Sequence, residues 1–233
     1  MYYRYGYGLD VTYLLVILAL LLTMAAQAYM RSSFSKYSKI RNMRGLTGAQ
    51  IAQQILQSEG LYQVQVVPVS GSLTDHYDPR SKTVSLSQTV FGSTSLAAAG
   101  VAAHECGHAI QDARGYAPLQ LRSTLVPAAN LGSNLAWPMF FAGLVFSLRP
   151  LMQAGIILFS LALLFQLVTL PVEFNASGRA LEKLETMGIL GTEEHAGAKR
   201  VLTAAALTYV AAAATTLLHL LRMVMLSGGR RRR

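Results

Sequence analysis

His104-Glu105-Cys106-Gly107-His108 is the stretch of this chain whose residue types and spacing describe a reaction. Two histidines four positions apart lie on one face of a helix, about one turn along its axis, so both imidazoles can bind a single ion. Glu105, one position round, can reach a water on that ion and take its proton. Zinc supplies Lewis acidity, lowering the pKa of the water and polarising a scissile carbonyl. Gly107 is expected to leave room beside the metal, and Ala102, Ala103 and Ala109 let the helix backbone approach other elements. With 5 histidines in the chain, a chance HExxH arises in roughly a few in a thousand such sequences. Coincidence is therefore the weaker reading.

A catalytic zinc takes a third protein ligand and keeps a fourth position open. The downstream candidates are Glu173, Glu182, Glu185, Glu193, Glu194 and His195. Glu173 directly follows a membrane-length apolar run, where Pro171 is expected to open a polar helix and put Glu173 on its first turn. Glu182, Lys183 and Glu185 read as a solvated helix face, and His195 in TEEHAGAK reads as a surface histidine. Cys106 lies between the metal-binding histidines but on another face, as a buried small residue. As the lone cysteine it cannot make an internal disulfide.

The elements that must position these groups are mostly apolar. Charged residues are 13% of the 233 and the apolar set 52%, against about 25% and 45–50% in an average soluble chain. That bias excludes a disordered chain and indicates a membrane protein. The net charge of +9 raises nucleic acid as a partner. The basic residues, however, cluster at Arg31 to Arg44 and Arg230 to Arg233, each beside an apolar run, where they orient helices or meet anionic lipid. No nucleic-acid partner is expected.

Val11 to Met30 is uncharged over the length of a bilayer crossing. Arg4 alone precedes it while five basic residues follow, the reverse of a signal peptide, which predicts an uncleaved anchor with residue 31 inside. Thr47 is expected to cap a helix ending at Glu59 and Gly60. VQVVPV (Val64 to Val69) and TVSLS (Thr83 to Ser87) read as strands around a turn-rich segment. Ser93 or Ser95 starts the helix of the HECGH motif, which stops at Gly115. Leu125 to Leu148, Ala154 to Leu170 and Val201 to Leu226 are further apolar runs. Asn130, Asn134, Pro127 and Pro138 interrupt the first, and His219 and Arg222 the last.

AAHECGHAIQ followed by LPVEFNASGRAL, with LTDHYDPR, TVSLS and YAPLQLRS, resembles the YugP-like membrane-bound neutral zinc metallopeptidase family from about Asn42 to Tyr209. The resemblance implies a zinc peptidase with His104 and His108 as ligands, Glu105 catalytic and Glu173 as third ligand. More distantly the pattern is similar to the HtpX and CAAX-prenyl protease gluzincins. These usually carry an aspartate four residues after the glutamate, where this chain has Ser177. The hydrogen bond that steadies a ligating histidine is then expected from another group, with Asn175 and Asn130 as candidates. His76 has two readings: a second catalytic residue stabilising the oxyanion, or a turn histidine held by Asp75 and Asp78. TVSLS, as an exposed strand edge, is expected to bind an extended peptide by strand addition.

The expected fold is a mainly α integral-membrane protein with a zincin-like HExxH helix, a small β element and about four transmembrane helices. Residues 1–30 form the anchor, 31–124 the protease part, 125–171 a membrane hairpin, 172–200 the third-ligand helix and 201–233 a last span with a basic tail. The expected function is cleavage of membrane or membrane-associated proteins, with protein substrate and lipid bilayer as partners and the site on the cytoplasmic side of the cell membrane. A scaffold with structural zinc and a channel are the rival classes. Structural zinc has no need of the unligated Glu105, and a channel would place ionisable groups in several spans. A fourth span puts Arg230 to Arg233 outside, against the charge bias of the earlier ones.

Overall fold

The computed structural model describes residues 12–228. Arg4 and the tail Arg230 to Arg233, which enter the charge-bias reading, lie outside them. The elements, in order, are α1 (Thr12–Tyr37), α2 (Gly48–Ser58), β1 (Gln65–Val69), β2 (His76–Asp78), β3 (Thr83–Ser87), α3 (Gln88–Phe91), α4 (Leu96–Ala113), α5 (Ala117–Val145), α6 (Arg149–Thr186) and α7 (Thr192–Gly228).

The helix ends follow local chemistry. Thr47 accepts from the Gln50 backbone while the Gln50 side chain accepts from the Thr47 amide, a complete capping box. Gly60, at φ +71°, lets the chain leave α2. Of the two serines weighed for α4, Ser95 is the cap: its Oγ accepts from Ala98 N at 3.1 Å. Gly115, at φ +61°, follows the last turn.

Among the described residues, α1, α6 and α7 are long and apolar enough to cross a membrane. Leu14, Leu20, Leu21 and Met24 of α1 are each more than half exposed, a surface that water would disfavour and lipid would cover. α5 is not among the three. Asn130, Ser133 and Asn134, with Pro127 and Pro138, dilute its apolar character.

Two expectations are corrected. Pro171 does not open a helix but lies inside α6. One missing N–H removes one backbone bond, yet Val172, Ala176, Ala180 and Leu184 form a fully buried stripe at four-residue spacing that keeps the chain helical beyond it. Nor is TVSLS an edge strand. β3 is the middle strand in the order β1-β3-β2, parallel to β1 and antiparallel to β2. Both of its hydrogen-bonding edges are used, so peptide addition is available only to the outer strands.

The described chain divides into two compact units. One comprises 12–25, 125–166 and 211–228, where Ala136, Phe140, Met152, Phe159 and Met223 form the core. There Gly155 of α6 meets α5 so closely that a Cβ would stand 2.8 Å from the Ala136 carbonyl, the small-residue contact used between membrane helices. The other comprises 26–124 and 167–210. Its centre is α4, buried nearly all round, with Ile51 and Ile55 of α2, Val84 and Leu86 of β3, and Ala180 and Leu184 of α6 in the same core.

Candidate metal centre

α4 carries His104, Glu105 and His108, and α6 carries Glu173 and Ser177, four residues apart on one face. Gly107 fixes how closely these helices approach. A Cβ there would stand 2.5 Å from the Ala176 carbonyl oxygen. The glycine expected to clear space beside the metal instead receives the α6 backbone. That contact sets the Glu173 turn against the histidines.

His104 Nε2 and His108 Nε2 are 3.2 Å apart. Glu173 Oε2 lies 3.3 Å from the first and 3.7 Å from the second. Zinc with bonds of about 2.0–2.1 Å in tetrahedral geometry separates its donors by roughly 3.3 Å. Glu173 is 2% exposed, and its Oε2 is buried with no hydrogen-bond partner. Arg122 Nη1, 3.5 Å from Oε1, balances part of the charge, but Oε2 is stripped of water without a hydrogen bond in return, and a cation at this point would satisfy it. The residues present fit zinc. Among the described residues these three form the group of His, Cys, Asp and Glu able to share one ion. Glu182, Glu185, Glu193, Glu194 and His195 do not join it. His195 Nε2 sits 3.9 Å from Glu185 and 3.2 Å from the Leu181 carbonyl instead.

The histidines are oriented from behind. His104 Nδ1 is 3.1 Å from Ser177 Oγ, so the serine where the wider group carries aspartate supplies the contact itself. His108 Nδ1 is 3.1 Å from Gln111 Oε1. The amide is held in that sense because Gln111 Nε2 donates to the Val172 carbonyl at 2.8 Å and to Asn175 Oδ1 at 3.0 Å. An acceptor facing Nδ1 puts the proton there and leaves the lone pair on Nε2, as metal binding requires. Asn175 therefore acts one step removed, through Gln111, and Arg179 Nε donates to it at 2.8 Å. Gln111 is a residue that sequence reasoning missed. Its signal was available: a lone amide three positions from His108 in a helix otherwise made of buried small residues must be bonded to something.

Burial alone would lower the His108 pKa. The negative charges of Glu173, 3.7 Å from the ring, and of the nearby Glu105 outweigh it and hold the imidazole above its ordinary value. The site favours positive charge. Burial raises the Cys106 thiol, whose Sγ points to the Ala52 carbonyl at 3.6 Å, away from the triad.

A cavity of about 170 Å³ opens onto His104, Glu105, Glu173 and Ser177, with Val201 and Tyr209 of α7 in its wall. Glu105 is 7% exposed and stands beside the three donors without belonging to their group. Leu73 and Asp75, just before β2, also line the cavity. His76 is not among its lining residues. It is exposed, with Nδ1 2.8 Å from the Thr74 carbonyl. Asp75 and Asp78 do not hold it: Asp75 accepts from Ser87 N and Oγ, and Asp78 from Arg80 N and Ser81 Oγ.

Residues 12–228 match the profile of a family described as "Putative neutral zinc metallopeptidase". The chain is also 48% identical over 197 residues to the "Putative membrane protease YugP" of Bacillus subtilis (strain 168), covering 84% of this chain and 88% of that one. No solved structure matches. With a zinc-compatible triad and three membrane-length helices already in place, a match over the whole described chain means that this protein belongs to the neutral zinc metallopeptidase family.

Proposed function

We propose that the protein is a membrane-bound zinc endopeptidase that hydrolyses peptide bonds of membrane or membrane-associated proteins. His104, His108 and Glu173 would hold the ion, and Glu105 acts as general base. Bound zinc would supply Lewis acidity toward the scissile carbonyl and lower the pKa of the attacking water. Glu105 takes the proton from that water and passes it to the leaving amine. Ser177 and Gln111 keep the two imidazoles turned toward the ion.

The observation that carries the reading is the placement of Glu105: buried, lining the cavity, next to the triad and outside it. A structural zinc site closes with protein ligands and needs no free acid at its open side. An extended substrate would add to the outer edge of β2, since Leu73 and Asp75 lead from the cavity into that strand. His76, exposed on the same strand, would meet the bound peptide only outside the cavity.

For topology we propose four crossings, with α5 as the least apolar. The anchor at 1–30 brings 31–124 to the cytoplasmic face of the cell membrane. The 125–171 hairpin returns the 172–200 segment to that face, and 201–233 crosses last. Cysteine labelling in intact cells tests it: modification of Ser35→Cys or Gly191→Cys from outside would reverse the assignment.

The functional test uses purified protein in detergent. Glu105→Gln should keep wild-type zinc content and lose roughly a hundredfold or more of its turnover of an unfolded reporter. Glu173→Ala should lower zinc occupancy, whereas Glu182→Ala should not. Turnover by Glu105→Gln comparable to wild type would remove the assignment.

A further inference from the structure

We propose that Tyr209 is a second catalytic residue, whose hydroxyl donates a hydrogen bond to the scissile carbonyl oxygen as that oxygen becomes negative. This rests on the peptidase reading above.

Tyr209 stands on α7 and lines the same cavity as His104, Glu105 and Glu173. Sharing that wall, the phenol faces the space in which the reacting atoms would lie. The residue is nonetheless 38% exposed, which leaves the ring open to an entering substrate. The chemistry of the remaining wall narrows the choice. Peptide hydrolysis builds negative charge on one oxygen, and that charge needs a donor beyond the ion. Glu105, Glu173 and Asp75 are acceptors, and Arg122, whose Nη1 lies 3.5 Å from Glu173 Oε1, is paired with that carboxylate and does not line the cavity. Ser177 Oγ is engaged with His104 Nδ1, and Thr208 Oγ1 donates to the Ala205 carbonyl at 2.6 Å. His76, one of whose two readings from sequence was an oxyanion donor, does not line the cavity.

Tyr209 alone combines a strong O–H donor with a position beside the reacting atoms. A phenol keeps its proton at neutral pH, so it donates throughout the reaction without changing its protonation state. A developing oxyanion is a stronger acceptor than the ground-state carbonyl, so the bond from the phenol strengthens as the reaction proceeds.

The test compares full-length wild type and Tyr209→Phe, both zinc-loaded in detergent. Readouts are zinc content, kcat and KM on a reporter peptide, and the affinity of a phosphinic peptide that mimics the tetrahedral species. Tyr209→Phe should keep zinc and KM while kcat falls about 100- to 1,000-fold, the range for loss of one oxyanion donor. Phosphinic affinity should fall in parallel, while the parent peptide binds a Glu105→Gln background equally with or without the hydroxyl. Phosphinic affinity equal in wild type and Tyr209→Phe would overturn the role even if no reporter is cut. So would an activity loss restored by excess zinc, which would make Tyr209 only a support for Glu173. Failure of zinc-loaded wild type to bind the phosphinic peptide would instead remove the peptidase reading, and this role with it.

Discussion

Gly107→Ala separates two forces that act on the same helix in opposite directions. Alanine favours a helix interior over glycine by about 1 kcal/mol, so helix propensity alone predicts a more stable protein. The new Cβ would, however, stand 2.5 Å from the Ala176 carbonyl oxygen, 3.0 Å from its carbon and 3.1 Å from its Cα. These are backbone atoms and cannot rotate aside. An ordinary C···O approach is about 3.3 Å or more, so α4 and α6 must part by roughly 0.8 Å at this point, and overpacking of that kind costs about 1–3 kcal/mol. The net effect is a loss of roughly 0–2 kcal/mol, visible as a lower Tm. The larger consequence falls on the site. Glu173 is one turn from Ala176 and moves with it, and a constellation tolerates only about 0.5 Å of displacement. Zinc affinity should drop about 10- to 100-fold, as when a ligand loses its orienting partner. Gly100→Ala is the control on the same helix: its Cβ would meet the nearest atom, Ala198 Cβ, at 3.6 Å, ordinary contact that should leave zinc affinity unchanged. Competition against a chromogenic chelator measures both variants. Wild-type zinc affinity in Gly107→Ala, or identical behaviour of the two variants, would refute the close-approach reasoning.

Gln111→Leu removes the acceptor from His108 Nδ1 and the donor from the Val172 carbonyl. Zinc affinity should fall about 10- to 100-fold with far-ultraviolet circular dichroism unchanged, and unchanged affinity would show that His108 is oriented otherwise. Glu59 accepts from Arg114 Nη2 at 2.5 Å and from Lys183, joining α2 to the end of α4 and to α6. Burial works against its charged form, but the bonds to Lys183 and Arg114 prevail and hold the carboxyl below its ordinary 4.5. A folded pKa below the unfolded one stabilises the protein above about pH 4.5 and loses that contribution as pH falls through the folded value. Glu59→Gln should therefore cost about 1–2 kcal/mol at pH 7, between the exposed and buried limits for such pairs, and less at pH 3, below the ordinary 4.5. Denaturant midpoints at the two pH values measure this, and a cost equal at both would assign the effect to packing.

What the sequence made legible follows from where each residue's partner lies. Thr47 with Gln50, and Ser95 with Ala98, are caps whose partners sit three positions away, so residue types gave the first start and narrowed the second to Ser93 or Ser95. HECGH is legible for the same reason, since its geometry is one helical turn. The β-sheet is different. β2 is three residues long in a turn-rich stretch, and its pairing places β3 in the middle of the sheet, a fact with no local signature. Gly107 was misassigned because its neighbour is 69 positions away in α6, and a glycine inside a helix does not say which backbone it admits. Pro171 misled because it lies inside a helix, against proline's usual place at a helix start, although the stripe Val172, Ala176, Ala180, Leu184 was present in the sequence at four-residue spacing. Reading that stripe through the proline makes α6 continuous and places Glu173 and Ser177 on the adjoining face, one turn apart. From there both α6 groups meet the histidines of α4. The carboxylate reaches the two Nε2 atoms, and the hydroxyl one turn on reaches His104 Nδ1. An aspartate at 177 would supply a stronger acceptor and a second negative charge. Serine supplies the hydrogen bond alone, which orients the imidazole and leaves Glu173 and Glu105 as the carboxylates beside the histidines in the cavity wall.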